Sequence, residues 1–256
     1  MKNLKTKFAL LSCGMAIVNG VLSGCDPVYE MVKCPSYVVY YTDLSAIYVE
    51  SISTSSQCVV LNAVMNTSKS YGLHSVGEAK ERYNQLCIKH HDLSYNKYRK
   101  IGKGSDVESV TYGASDFSNI TVIADKDFDN MHPAGTNLSD IVRFMSWSPY
   151  KYILSGYSKY YHYDKSDVSE AFDTLMRIYI DKKFFDNATE ATCYPIDKSI
   201  NDLTTEDLIL IGYDTPLFLG LLYFEKTPDT KDDYDITVTI KTDENKVLSD
   251  TVKLTF

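Results

Sequence analysis

The sequence predicts a mainly β domain of the α+β class, an antiparallel β-sandwich-like fold with two or three helical insertions. Three observations predict it: several short stretches rich in β-branched and aromatic residues, a period-two hairpin at the C-terminus, and few helical stretches. A chain of 256 residues with 44% hydrophobic side chains is long enough to bury a substantial core.

Seven stretches predict strands before the terminal hairpin. Two of them, 36–42 and 46–52, are rich in β-branched and aromatic residues, and three more strands are predicted at 58–65, 107–113 and 119–124. The first two flank Asp43, Leu44 and Ser45, which we interpret as a turn. Two later stretches, 207–213 and 217–224, are more continuously apolar and predict interior strands.

The C-terminal hairpin has the clearest pattern. Apolar and polar residues alternate on both sides of a polar turn at 242–245, so each strand has one apolar face and one wet face. The apolar positions are Tyr234, Ile236, Val238 and Ile240 on the first strand and Val252, Leu254 and Phe256 on the second.

Two helices have recognisable start signals. Ser75 and Glu78 predict a capping box for a helix that ends near Lys89. Asp167, three residues before Glu170, predicts the cap of a second helix, and a short helical turn is predicted at 136–140. The apolar stripes comprise Val76, Ala79, Tyr83 and Leu86 on the first helix and Val168, Phe172, Leu175 and Tyr179 on the second.

The N-terminus has the layout of a secretory signal. Three lysines precede an interrupted apolar run at 8–22, which is shorter than the roughly 20 residues of a membrane span. The tetrapeptide Leu22-Ser23-Gly24-Cys25 that follows resembles a bacterial lipobox. We therefore predict a signal peptide at 1–24, a lipidated anchor and tether at 25–34, and one strand-rich extracytoplasmic domain at 35–256.

The lipobox resemblance implies a lipid anchor on Cys25. In such signals the cysteine receives a diacylglycerol thioether and its new amino group is acylated, for example with palmitate. Each buried methylene contributes about 0.8 kcal/mol, so two or three chains hold a protein at a membrane. The anchor, the length and the strand-rich remainder are similar to envelope lipoproteins of Bacteroides-type bacteria. That resemblance implies the outer membrane of a Gram-negative bacterium, leaves surface exposure open, and supplies no catalytic residues.

The charge argues against some partners. Removal of 1–24, which holds three lysines and no acidic residue, takes the formal charge from −8 to −11. Such an acidic chain is a poor ligand for nucleic acid or for anionic headgroups. We therefore expect no nucleic-acid partner and attachment to the membrane through the lipid on Cys25.

Cysteines beyond the anchor predict disulfides. Their even number and wide spacing favour bridges outside the cytoplasm, although three pairings are open and four buried thiols are the alternative. The candidates are Cys34, Cys58, Cys87 and Cys193.

Two polar clusters are candidate metal ligands. Asp125, Asp127 and Asp129 alternate as in a calcium loop, but the position for the usual glycine holds Asn130 and the twelfth holds Thr136. A solvated acidic loop is the favoured interpretation, and no cofactor is predicted. The segment 90–92, His-His-Asp, is interpreted as a surface cluster because neighbouring side chains point in different directions.

An aromatic segment is the candidate ligand surface. The chain has 21 tyrosines and one tryptophan, and the density is high between 146 and 165. Exposed rings can stack on sugars or on partner side chains, whereas burial in a core is the alternative favoured for most of them. The residues are Trp147, Tyr150, Tyr152, Tyr157, Tyr160, Tyr161 and Tyr163.

These patterns favour a non-catalytic binding or structural lipoprotein of the cell envelope, with a partner protein or a glycan as its ligand. The alternative is an envelope hydrolase with an unrecognised active site. A deep pocket with two close carboxylates would favour the hydrolase, and a shallow aromatic strip would favour binding.

Overall fold

The computed structural model describes residues 29–52, 55–102, 110–179, 191–212 and 218–256. Within these ranges the fold is mainly β with three α-helices, as predicted. The helices are α1 (Glu78–Lys89), α2 (Tyr150–Leu154) and α3 (Glu170–Tyr179). The strands are β1 (Tyr29–Cys34), β2 (Tyr40–Ile52), β3 (Ser55–Gly72), β4 (Lys97–Gly102), β5 (Thr111–Gly113), β6 (Phe117–Ala124), β7 (Val142–Ser148), β8 (Tyr194–Ser199), β9 (Phe218–Phe224), β10 (Asp233–Thr242) and β11 (Val247–Thr255).

The chain divides into two compact units. One comprises Met1–Lys33 and Lys97–Glu108, and the other comprises Cys34–Asn96 and Ser109–Phe256. β1 and β4 pair as a two-stranded sheet. The segment predicted as a tether therefore contains a strand, which pairs with residues 97–102 of the predicted domain.

The larger unit contains two sheets. One has six strands in the order β5-β2-β3-β9-β7-β8, and the other has three in the order β11-β10-β6. Neighbouring strands are antiparallel except for β2 and β5, which are parallel. The predicted C-terminal hairpin is confirmed as β10 and β11, with Ile236 opposite Val252.

The main core lies where the two sheets contribute their apolar faces. It holds Val59 and Leu61 of β3 together with Ile236 and Val238 of β10, and all four are fully buried. The other face of β3 carries Cys58 and Val60 into a second cluster. Because both faces of β3 are covered at 58–63, the sequence there is mostly apolar instead of alternating.

The second and third clusters lie under the helices. Phe172 and Met176 of α3 pack on Trp147 of β7 in the second cluster. The third cluster joins α1 to α2 and to the start of β2, with Tyr83, Leu86 and Cys87 as the buried side chains of α1. Helices therefore cover that face of the six-stranded sheet which does not contribute to the main core.

The segment predicted as two strands around a turn is one strand, β2. Register shifts between Thr42 and Leu44, and between Leu44 and Ala46, accommodate the residues interpreted as a turn. Bulges of this kind add residues without ending the strand. They also change its face, because Tyr41 packs in the third cluster whereas Ile47 packs in the main core.

Three other local predictions were wrong. Asp167 does not cap α3, because the hydroxyl of Ser169, directly before the helix, accepts from Phe172 N at 3.1 Å. The stretch 207–213 forms no strand in its described part, 207–212, and begins in a 3₁₀ turn, Glu206–Leu208. The capping box before α1 is absent: Gly77 is the N-cap, and the Ser75 hydroxyl accepts a hydrogen bond from Gly72 N instead. Gly77 has φ +59°, which favours glycine at this helix start.

Candidate functional site

A pocket of ≈ 180 Å³ opens beside α1. Its other walls are residues 35–36, just before β2, and residues 92–93, just after the helix. Lys80, Asn84 and Ile88 lie on one helical face because they are four residues apart. The residues that α1 contributes are Lys80, Tyr83, Asn84, Cys87 and Ile88.

Two buried hydroxyls line the pocket. Tyr83 OH donates to the carbonyl oxygen of Val38 at 2.9 Å, so it accepts from the Ser36 hydroxyl at 2.5 Å. Both side chains belong to residues that are 2% exposed. This pair attaches the segment before β2 to α1 and gives one wall of the pocket a fixed geometry.

The Asp92 carboxylate holds the opposite wall. It is fully buried and accepts hydrogen bonds from Tyr37 N at 2.6 Å, Val38 N at 2.8 Å and Tyr157 OH at 2.8 Å. Burial raises the pKa of Asp92, and the three donors offset that effect only in part. Because three protein donors already contact its oxygens, this carboxylate has a structural role.

A second polar network continues from the end of α1. His90 Nδ1 lies 3.1 Å from Tyr41 OH, and His90 Nε2 lies 2.9 Å from Asp116 Oδ2. Lys89 Nζ lies 2.6 Å from a carboxylate oxygen of Asp116 and 2.6 Å from one of Asp243. Burial alone would raise the pKa of Asp116, but His90 and Lys89 lower it overall.

These groups are poorly suited to proton transfer or nucleophilic attack. A catalytic acid needs a raised pKa and access to substrate, whereas Asp116 has a lowered pKa and is 6% exposed. Burial raises the pKa of the Cys87 thiol to about 11, so it is protonated near neutral pH. The pocket has the hydroxyls of Ser36 and Tyr83 and the ammonium of Lys80 at its wall, and this arrangement suits binding.

The aromatic segment is mostly buried. Trp147 is 0% exposed because β7 lies between the main core and α3, and the exposure predicted for a glycan surface is therefore absent at this residue. Tyr152, Tyr157 and Tyr161 are also buried. Only three rings of the predicted set keep partial exposure, namely Tyr150, Tyr160 and Tyr163.

The three aspartates of the acidic loop do not converge. Asp125 accepts from Asp235 N at 2.8 Å, Asp127 accepts from Ala134 N at 2.7 Å, and Asp129 contacts His132. Each carboxylate therefore fixes a different part of the backbone. Across the described ranges, no group of three or more His, Cys, Asp or Glu side chains is placed to hold a metal ion.

The predicted disulfides are absent from the described part of the chain, where Cys34, Cys58, Cys87 and Cys193 are all buried thiols. The strand order places two of these cysteines too far apart for a disulfide. Cys58 is on β3 and Cys193 directly precedes β8, so three strand spacings of about 4.8 Å lie between them along the sheet. A disulfide needs Cα atoms within about 7 Å.

Cys25 and the whole predicted signal lie outside the described residues. Among the residues that are described, no helix is long and apolar enough to cross a membrane.

No protein-family model, curated protein or solved structure matches the chain. The function is therefore inferred from the sequence pattern and from this geometry.

Sequence reasoning missed the polar groups beside the pocket. The segment 90–92 was interpreted as a surface cluster, yet His90 is 1% exposed and Asp92 is 0% exposed, with only His91 in solvent. The available signal was the position of these residues directly after a helix that was predicted to end near Lys89. The two partners of His90, Tyr41 and Asp116, are 49 and 26 residues away from it in the sequence, so no local pattern marks the contact.

Proposed function

We propose that this chain is a lipid-anchored protein of the bacterial cell envelope, in the outer membrane of a Gram-negative organism, whose domain acts by binding and not by catalysis. The observation that carries the anchoring is Leu22-Ser23-Gly24-Cys25, at the end of an apolar run behind a basic start. Its ligand is an envelope component, either a partner protein or a glycan.

The pocket beside α1 supports a binding role. Hydrogen bonds that involve Ser36, Tyr83 and Asp92 hold its walls in place without any ligand. A preformed site loses little conformational freedom when it binds, so more of the contact energy appears as affinity. Because most rings of the aromatic segment are buried, the pocket beside α1 is a better candidate binding site than a shallow aromatic strip.

A hydrolase remains the second candidate because one observation favours it. Asp116 and Asp243 are close enough to share the Lys89 ammonium, and Asp116 N donates to Asp243 Oδ1 at 3.1 Å. A pair of carboxylates can serve glycoside hydrolysis, but one of them must act as an acid with a raised pKa. The lowered pKa of Asp116 and the ammonium between the two carboxylates oppose that role.

Metabolic labelling with a clickable fatty acid tests the anchor. We expect label on the wild type and on Cys13→Ala, because residue 13 lies inside the predicted signal, and no label on Cys25→Ala. The same variants are compared by detergent-phase partitioning. Equal labelling of Cys25→Ala and the wild type would show that the anchor is assigned wrongly.

Hydrolysis assays on envelope glycans separate the two candidates. The binding proposal predicts no turnover by the wild-type chain. Turnover that is lost in Asp243→Asn but kept in Asp202→Asn, a change at an exposed aspartate remote in sequence, would establish the hydrolase instead.

A further inference from the structure

The size of the pocket beside α1 limits what it can hold. Its volume of ≈ 180 Å³ is below the roughly 300–1,000 Å³ of sites for drug-sized ligands. It is close to the about 150 Å³ of an engineered apolar cavity that accepts benzene. One ring, or a branched group of similar size, therefore fills it.

The lining combines apolar walls with one accessible cation. Ile88 is 60% exposed and Leu93 is 57% exposed, so both present apolar surface at the pocket. Lys80 Nζ donates to the carbonyl of Leu73 at 2.6 Å and lies 4.7 Å from the centre of the Tyr83 ring. An ammonium has three N–H donors, so this position can serve a further acceptor.

The charges of the lining favour an anion. Lys80 is the single cationic residue among those that line the pocket, and Asp92 is the single acidic one. The Asp92 oxygens already accept three hydrogen bonds inside the protein. The charge that a ligand meets at the accessible wall is therefore that of the Lys80 ammonium.

We propose that this pocket binds a small carboxylic acid with a ring-sized apolar body, whose ring lies between α1 and residues 92–93 and whose carboxylate pairs with Lys80. The proposal rests on the binding role proposed above: within that role it selects a partner protein with an aromatic C-terminus, and it adds a small free acid as a further ligand class. A free acid and the C-terminal aromatic residue of a polypeptide both present this chemistry.

Three probes with one ring and different charges test the ligand class. Phenylacetate, toluene and phenethylamine are titrated into the detergent-solubilised full chain and followed by saturation-transfer NMR. We expect phenylacetate to bind most tightly and phenethylamine most weakly. Equal binding of all three, or no binding of any, overturns the proposal.

Two exposed positions on α1 supply a matched pair that tests the location. Asn84 lines the pocket, whereas its neighbour Gln85 does not, and both are exposed. We expect Asn84→Trp to abolish phenylacetate binding and Gln85→Trp to preserve it. Loss in both variants, or in neither, contradicts the assigned site.

Lys80 is tested by Lys80→Met, which keeps the unbranched apolar stem of the side chain and removes the charge. We expect phenylacetate affinity to fall about fivefold, as for an exposed ion pair, and toluene affinity to stay unchanged. Unchanged phenylacetate affinity would show that the ligand carboxylate does not pair with Lys80, and this result would overturn the proposal.

A fourth probe distinguishes a free acid from the C-terminus of a polypeptide as the ligand. A tripeptide acetyl-Ala-Ala-Phe with a free carboxylate that binds more tightly than phenylacetate indicates a polypeptide C-terminus, and weaker binding indicates a free acid. Fatty-acid labelling of Cys25 is independent of all pocket variants. A failed pocket test and a failed anchor are therefore distinguishable.

Discussion

His132 stabilises the acidic loop in a way that depends on pH. Its ring lies between two carboxylates, with Nδ1 2.7 Å from Asp129 Oδ1 and Nε2 3.0 Å from Asp140 Oδ1. Both ring nitrogens can donate only when the imidazole is protonated. Burial lowers the pKa of His132, but the two carboxylates raise it more, so the net shift is upward.

The sign of the pH dependence follows from that shift. A histidine whose pKa is raised in the folded state contributes stability that is fully present below its unfolded value of about 6.5. The contribution is lost as pH rises through the higher folded pKa. Stability should therefore fall on the alkaline side of about pH 6.5.

The size of the effect follows from the exposure of the partners. The His132 side chain is 8% exposed and Asp129 is 18% exposed, whereas Asp140 is 53% exposed. A neutral imidazole can still donate from Nδ1 to Asp129, so deprotonation removes the Asp140 contact and the charge on the Asp129 contact. We expect the pH-dependent part to be about 1 kcal/mol.

Urea unfolding at pH 5.5, 7.0 and 8.5 measures this contribution. We expect His132→Gln to lower the free energy of unfolding more at pH 5.5 than at pH 8.5, by about 1 kcal/mol. Asp140→Asn should remove part of the same dependence, and His74→Gln, at an exposed histidine, should leave it intact. A difference between wild type and His132→Gln that is constant with pH, or grows at alkaline pH, refutes the reasoning.

Three further predictions concern buried groups. Trp147 should emit in the blue, and Trp147→Ala should lower the free energy of unfolding by about 3–5 kcal/mol in urea titrations; red-shifted emission contradicts its burial. Gly220→Ala should lower it by about 2 kcal/mol, because φ is +153° and a Cβ would approach Met145 O at 2.5 Å; an unchanged midpoint contradicts this. The four buried cysteines should all react with a thiol reagent after denaturation without reductant, whereas in the native protein burial raises the pKa of Cys58 to about 12 and slows its reaction. Fewer than four reactive thiols would mean that a disulfide forms.

Sequence patterns predicted the elements whose two faces differ, whereas continuously apolar runs gave one right and one wrong strand: 217–224 contains β9, but the described part of 207–213 is not a strand. The hairpin of β10 and β11 was predicted because Ile236 and Val238 face the core and Thr237 faces solvent. After Asp207, the run 207–213 is mostly apolar, and such runs do not distinguish a strand from a buried loop. Its Asp207 carboxylate accepts from Thr204 N and from the Thr204 hydroxyl, which closes a turn in place of a strand.

The candidate site was not predictable because its groups are distant in sequence. Tyr37 and Tyr157 meet at Asp92 across 55 and 65 residues, so their proximity is a product of the fold. Composition indicated many tyrosines but not which hydroxyls would be buried. The aromatic segment 146–165 was a candidate ligand surface because aromatic residues are frequent in it, yet Trp147 packs in the second core cluster under α3.

The shape of the proposed binding pocket and the stability of the domain depend on the same buried bonds. Asp92 fixes residues 37 and 38 to the end of α1, and Ser36 with Tyr83 fixes the same segment to the middle of the helix. Removing Asp92 would leave three buried donors unpaired, each costing about 1–3 kcal/mol, so the pocket would disappear together with the fold around it. Lys80, Asn84 and Ile88 make no such bonds to the segment before β2 among the contacts described above. In the proposed binding role, substitutions at these three lining residues can therefore change ligand specificity while the bonds that hold the rest of the pocket stay intact.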